Sequence, residues 1–518
     1  MADCMTMTSR ASIAWFGHSH TSIEAALRSR GLAFEVATKV APLSPGVTSA
    51  IMHYQGETAQ LSKFLAHAKS QLDHGIKVFI VAKKANFGSA SLAVSSFMQS
   101  SINALDVKDY EKESIAADIG TQLRVYDLDR PASKAKLGLD VPAEVANECL
   151  LYKLERPANH SLKLKTKETL NLTFQTLLKR AFSDFQTIEL DDLPGGRSTI
   201  RGVWKVTGVD TNGVRYEPFV VKFGAKTRIT GEIESNRAVV EDLIPFQNHP
   251  AIAYERCVFG MGERLFVSRF VDNATRLDDF LVRISPTLGI TALFDRALRT
   301  WRAPINHVQD TIQIAERFHN FWAIPKKNEP DAIKVPYELA KKETLTGILT
   351  PNALLQRLYA TPKVKCRVGH AHGDLHARNV FVRDNSTEVV LIDFATWHQP
   401  SPMSRDPATL DVALAFDIWD DGKTAFDVKP LSQGKLEELY SAPLLCPPRK
   451  HCESFRDQAI IRLRIEAASD CSEDEYKSAI ICCLLRFARF EPKGAKDHVA
   501  NVNRMRALAY QRASILCK

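Results

Sequence analysis

The stretch Gly369–Val380, GHAHGDLHARNV, packs three histidines, one aspartate, one asparagine and two glycines into twelve residues. Asp374 and Asn379 stand five positions apart, and Asp393 stands fourteen further on, inside the run VVLIDF, Val389–Phe394. The runs NVFVRD (from Asn379) and EVVLIDF (from Glu388) flank NSTE and read as a two-stranded hairpin with Asn379 and Asp393 at its open end. A neutral amide oxygen and a carboxylate brought together this way suit Mg2+, a hard cation that takes few protein ligands and keeps phosphate and water oxygens. Asp374, on a tight loop, is the candidate general base, able to accept a hydrogen bond from a hydroxyl and orient it for attack. His372 is the loop histidine that packs and hydrogen-bonds to hold Asp374, and His376 is a residue at the edge of the site. In SRDPATLDVALAFDIW, Ser404–Trp419, Arg405-Asp406 could touch the site, but a helix start with Asp406 as N-cap and Pro407 at its first position is the simpler account.

Outward toward the N-terminus, a helix with Leu170, Phe174, Leu177, Leu178 and Phe182 at helical spacing begins near Glu168. It leads into FQTIEL, LPGGRS, TIRGVWKVTGV and YEPFVVKFG, with Asn212-Gly213 as a hairpin turn in which both residues accept positive φ. A helix and a second hairpin, AIAYERCVF with RLFVSRFV, complete five antiparallel strands with one helix inserted after the third. Lys222 ends the third strand among apolar neighbours, as a cation for phosphates should. The helix after it has an apolar stripe at Ile229, Ile233, Val240 and Ile244. Glu232 lies at the edge of that stripe while Glu234 and Glu241 point further away, so Glu232 is the choice to pair with Lys222. In PGGRS, Pro194–Ser198, Gly195 and Gly196 let backbone N–H groups approach phosphate and Ser198 adds a hydroxyl donor. Beyond Asp272 the pattern is mostly helical.

Residues 12–127 alternate short apolar runs with helical patterns of 10 to 16 residues, the rhythm of a small parallel α/β domain. Residues 131–166 carry Pro, Ser and Lys without periodicity and read as a linker with one short helix.

The 518 residues, 45% hydrophobic and 25% charged, allow two to four ordinary globular domains. No apolar run approaches the roughly 18 residues of a membrane span, and the N-terminus lacks a signal-peptide layout, so the expected compartment is the cytoplasm. Ten cysteines form no CxxC and read as reduced packing thiols, with Cys482-Cys483 in a core helix. CPPRKHC, Cys446–Cys452, offers half a metal site with no second cluster to complete it. The net charge of +8 is spread along the chain. KLKTK, Lys163–Lys167, and the group Arg486, Arg489, Lys493 and Lys496 read as solvated basic faces, and nucleic acid is not indicated.

His372-x-Asp374-x-x-x-x-Asn379 followed by Ile392-Asp393-Phe394 resembles the catalytic signature of the aminoglycoside phosphotransferase and choline kinase group, the small-molecule branch of the protein-kinase-like fold. These enzymes favour HGD where protein kinases commonly have HRD, and an Asp-Phe without the following Gly; here the sequence reads IDFA. The resemblance covers roughly residues 168–517. It implies a two-lobed α+β kinase-like domain with a nucleotide, ATP or GTP, in its cleft and the adenine against residues near Phe270 and Val271. It also implies Asp374 as catalytic base, Asn379 and Asp393 as Mg2+ ligands, and Lys222 as a phosphate ligand. PGGRS is not the full GxGxxG lid of protein kinases.

The rhythm of the first 130 residues likewise resembles a response-regulator receiver or another flavodoxin-like domain. The carboxylates that a receiver needs are replaced by GHSHTS and MHYQ, which put His18, His20 and His53 at strand ends. A sensing or docking module for a protein partner is the expectation. The organisation expected is therefore 1–130 receiver-like, 131–166 linker, 167–272 kinase-like N-lobe and 273–518 helical C-lobe. The expected activity is Mg2+-dependent transfer of a γ-phosphoryl group to a hydroxyl of a small molecule or macromolecule. The competing expectation is a nucleotide-binding pseudokinase that acts in regulation.

Overall fold

The structure is a computed structural model. It describes the chain apart from residues 1–12, 17–19, 31, 38–46, 48, 74–75, 104–122, 131–139, 155–160, 194–199, 211, 261–262, 300–307, 323, 384–387, 418–430, 442, 446–453 and 492–495. The chain divides into two compact units, one comprising Met1–Gly231 with Ala251–Phe270 and the other Glu232–Pro250 with Val271–Lys518. No helix among the described residues is long and apolar enough to cross a membrane, and the described cysteines are free thiols, with Cys482 and Cys483 buried.

In the first unit, β1 (Ile13–Phe16), β2 (Phe34–Ala37), β3 (Ser49–Tyr54), β4 (Lys77–Ala82) and β5 (Leu123–Asp127) form a parallel sheet in the order β2-β1-β3-β4-β5. Side chains alternate between its faces. Phe16, Met52 and Ile80 share a core with Leu61, Phe64 and Val94 of the helices Thr58–Asp73 and Lys84–Asn103. Trp15, Ile51 and Phe79 share another with Ile23 and Leu27 of the helix Thr21–Arg28 and with Val141, Val145 and Cys149 of the helix Val141–Leu154. That last helix falls in the stretch expected as a linker. Its Glu148 receives Lys77 at 2.7 Å, Arg124 at 2.6 Å and the Tyr126 hydroxyl at 2.6 Å, which ties it to β4 and β5.

The second sheet of this unit contains β6 (Lys163–Lys165), β7 (Phe185–Asp192), β8 (Ile200–Asp210), β9 (Phe219–Ala225) and β10 (Glu263–Arg269), in the order β10-β9-β8-β7-β6. β7 to β10 pair antiparallel, whereas β6 joins β7 in parallel, so the fifth strand is the Lys-rich segment and not AIAYERCVF. Lys163 and Lys165 are exposed, in keeping with a solvated basic edge. AIAYERCVF follows β10 only through isolated bridges because a 3-10 turn at Tyr254–Arg256 interrupts it. The turn buries Arg256, which grips Asp184 with both terminal nitrogens (2.8 and 2.7 Å) and lies over the rings of Phe182, Phe185 and Phe219. The helix Leu172–Ala181 starts later than expected, capped by the Asn171 side chain, and packs Phe174 against Trp204 and Phe223. In the β8–β9 turn Gly213 takes φ +81°, and the Asp210 carboxylate accepts the N–H groups of Asn212 and Val214.

The second unit surrounds one large apolar core. It contains the expected hairpin as β14 (Val380–Arg383) and β15 (Val389–Leu391), and adds strands that the sequence reading did not assign: β11 (Ala274–Arg276), β12 (Val308–Ile312), β13 (Val364–Ala371) and β16 (His398–Pro402). They form two three-stranded sheets, β11-β14-β15 and β12-β13-β16. Helices Arg405–Phe416, Phe455–Ala467 and Glu473–Arg489 bury a fully enclosed network in which Arg464 grips Asp411, and Asp411 also accepts the hydroxyls of Tyr440 (2.5 Å) and Tyr476 (2.9 Å).

Candidate active site

β13 delivers the chain into the loop His372–Asp374, and the first residues of that loop are held from behind. Asp406, wholly buried, accepts the N–H of His372 on one carboxylate oxygen and the N–H of Gly373 on the other, both at 2.9 Å. This corrects the expectation that Asp406 caps its own helix. Ser404 occupies the N-cap position of Arg405–Phe416, and the Asp406 carboxylate serves the loop. Arg405, also fully buried, donates to the Gly373 carbonyl at 3.3 Å. Burial pulls its guanidinium down to about 10 despite the neighbouring Asp406.

His372 joins two loops. The Asp374 N–H donates to its Nδ1 at 3.3 Å, so the imidazole carries its proton on Nε2 and gives it to the Ile392 carbonyl at 2.9 Å. The Phe394 ring lies 4.8 Å from the imidazole. Gly373, at φ +87°, lets the loops touch. These contacts fix the loop bearing Asp374 relative to the loop bearing Asp393.

Asn379 and Asp393 flank the base of a hairpin in which Val380 pairs with Leu391 and Val382 with Val389. The Ile392 N–H donates to the Asn379 carbonyl at 3.0 Å. The Asn379 side-chain N–H donates to the Asp374 carbonyl at 3.0 Å, which leaves its amide oxygen as the atom to offer a cation. Asp393 adopts the left-handed conformation, φ 66°. Among the described residues no three His, Cys, Asp or Glu side chains gather as a metal cage. One amide oxygen and one carboxylate fit Mg2+ with its waters and phosphate oxygens better than a closed zinc site.

The Asp374 carboxylate is three-tenths exposed and meets Arg486 of the helix Glu473–Arg489 at 2.8 Å. Burial opposes its ionised form, but the Arg486 guanidinium, aided by His376, outweighs that and holds it at about 2. His376 Nε2 lies 4.0 Å from the other side of the carboxylate. Burial lowers the imidazole's own pKa in spite of Asp374, Asp417 and Asp393, so near neutrality it is a neutral neighbour and not a charge. The reading of Arg486 as part of a solvated basic face is therefore corrected. Arg486 interrupts an otherwise buried run, Cys482 to Leu485 and then Phe487-Ala488, and that interruption was the available signal.

In the other unit, Lys222 is buried in β9 with Nζ 5.1 Å from the centre of the Phe266 ring. Four positions on, Lys226 is buried over Phe259 at 4.4 Å, a second enclosed lysine that the sequence reading did not single out. The Phe270 N–H donates to the Pro218 carbonyl, and its ring lies under the Lys205 ammonium at 4.3 Å. Of the three glutamates considered, Glu232 is buried and Glu234 and Glu241 are exposed. Val271 is half-buried. Gly195, Gly196 and Ser198 lie outside the described residues, as do His18 and the CPPRKHC segment. His20 and His53 stand edge to face, 5.4 Å apart, after β1 and on β3.

No protein-family model and no curated protein matches the chain. Among solved structures it is similar to an ethanolamine kinase of Plasmodium vivax, with 13% identity over 74% of this chain and 98% of that one and a TM-score of 0.34. A spectinomycin phosphotransferase solved with ADP and spectinomycin matches with 11% identity over 63% and 93%, TM-score 0.34. An aminoglycoside phosphotransferase of Streptomyces rimosus matches with 13% identity over 66% and 99%, TM-score 0.26. All three TM-scores lie below 0.5, so these likenesses assign neither a family nor an activity to the chain.

Proposed function

We propose that the protein is a Mg2+-dependent phosphotransferase that moves the γ-phosphoryl group of ATP, or of GTP, to a hydroxyl. One observation carries this reading: His372 bonds the Asp374 N–H and the Ile392 carbonyl at once, and Asn379 bonds the Asp374 carbonyl and the Ile392 N–H, so that the three residues Asp374, Asn379 and Asp393 share one frame. In this reading Asp374 accepts the hydrogen bond of the acceptor hydroxyl and takes its proton as that oxygen attacks the γ-phosphorus and the bond to the β,γ-bridging oxygen breaks. Asn379 and Asp393 hold the cation; Mg2+ bound there supplies charge neutralisation on the phosphates. Lys222 is assigned to the phosphates, and its burial supports a desolvated cation. Glu232 is assigned as its partner, supported by being the buried glutamate of the three. Gly195, Gly196 and Ser198 are assigned to the phosphate lid, and Phe270 and Val271 to the adenine. The strand order β2-β1-β3-β4-β5 supports the flavodoxin-like reading of the first sheet, with a docking or sensing role.

A second reading, a nucleotide-binding regulatory module without turnover, draws on the pairing of Asp374 with Arg486, which weakens a base. Calorimetric titration with ATP and GTP, with Mg2+ and with EDTA, tests what both readings share. Binding is expected to need Mg2+ and to weaken at least about tenfold in Asp393→Ala. Equal binding in EDTA and in the variant contradicts both.

A further inference from the structure

The acceptor has so far been only a hydroxyl, and the surroundings of Asp374 say more. Arg486 holds Asp374 at 2.8 Å while one-fifth of its own side chain stays exposed. It is not a wandering surface arginine. Its helix buries the residues on either side, and its guanidinium lies 5.4 Å from the centre of the Phe490 ring. A hydroxyl brought to Asp374 thus arrives beside a fixed guanidinium. Among the described acids, Asp406 accepts two backbone N–H groups and Asp393 is assigned to the metal.

We propose that the acceptor carries an anionic group beside its hydroxyl and that Arg486 reads that group; this rests on the phosphotransferase reading with Asp374 as base. The planar fork of an arginine matches carboxylate and phosphate oxygens alike. An anion that shares the fork also frees the Asp374 oxygen now bonded to Arg486 to accept the hydrogen of the hydroxyl. The correct acceptor therefore binds and completes the site in the same step. A cationic amino alcohol meets a like charge at the same place.

The test is transfer from γ-labelled Mg·ATP by the full chain to four pools. These are hydroxy acids (glycerate, gluconate), phosphate esters (glycerol 3-phosphate, glucose 6-phosphate), neutral polyols (glycerol, sorbitol) and cations (choline, ethanolamine, kanamycin). Wild type is compared with Arg486→Glu and Arg486→Lys. Transfer confined to an anionic pool is expected, and which of the two reacts separates a carboxylate from a phosphate. Arg486→Glu should lower its kcat/KM relative to the neutral pool by roughly ten- to a hundredfold, the scale of one charge-assisted hydrogen bond, and Arg486→Lys should keep the preference. A preferred neutral or cationic pool overturns the proposal. So does a loss in Arg486→Glu that is equal for all pools, which is the mark of a residue that only positions Asp374. Transfer to none of the pools with Mg·ATP still bound overturns the anionic small-molecule assignment alone, whereas failure to bind Mg·ATP overturns the phosphotransferase reading itself.

Discussion

Gly373 lies so close to Thr396 that a Cβ on the glycine would sit 2.0 Å from the threonine carbonyl oxygen. That oxygen is backbone and has no rotamer to yield, and φ +87° is itself unfavourable for any other residue. Gly373→Ala is therefore expected to push the Asp374 loop off the Asp393 loop. Displacement of this kind far exceeds what the chemistry tolerates, and turnover should fall by about a hundredfold or more. Comparison of kcat with thermal stability checks this, since a fall in kcat larger than any change in folding locates the effect at the site.

Asp406 offers two oxygens to two N–H groups, and Asn can offer only one. Asp406→Asn should leave the N–H of His372 or of Gly373 facing an amide N–H in a fully buried place. A lost charge-assisted bond and an unsatisfied donor together cost about 2–4 kcal/mol. The urea midpoint should drop accordingly with the m-value unchanged.

A pH effect follows from His370, which is buried and stacked on Trp397 at 5.1 Å. Burial lowers its pKa, so the unfolded chain binds the proton more readily than the folded one. The contribution of the neutral ring is complete above the unfolded value of about 6.5 and is lost as pH falls through the folded value. His370→Phe keeps the stacking and removes the titration. Its melting temperature should fall less steeply than the wild type's between pH 7 and 5, as thermal scans across that range would show.

Much of this was legible in the sequence, for reasons that also mark where legibility stopped. β1, β3, β4 and β5 are short apolar runs, and Asp374, Asn379 and Asp393 lie close enough along the chain for spacing alone to group them. The helix Val141–Leu154 was legible only as one short helix of a linker, because polar flanks on both sides hid the core that Val141, Val145 and Cys149 share. β6 is three residues long with a single apolar residue, Leu164, too short for its alternation to stand out; its place comes from pairing with β7. AIAYERCVF alternates like a strand but gives up its ladder to bury Arg256. Asp406 and Arg486 come to the loop from 33 and 112 positions away, and the local pattern assigned each a local role, a cap and a surface charge.

The central claim is that Asp374 serves phosphoryl transfer. The most direct measurement is the transfer of label from γ-labelled Mg·ATP to acceptors in a metabolite extract, by wild type and by Asp374→Asn. Labelled product with the wild type, reduced by about two to four orders of magnitude in a variant that still binds Mg·ATP, is the predicted result. Equal labelling by the two proteins, or Mg·ATP bound by the wild type with no label transferred, would contradict it.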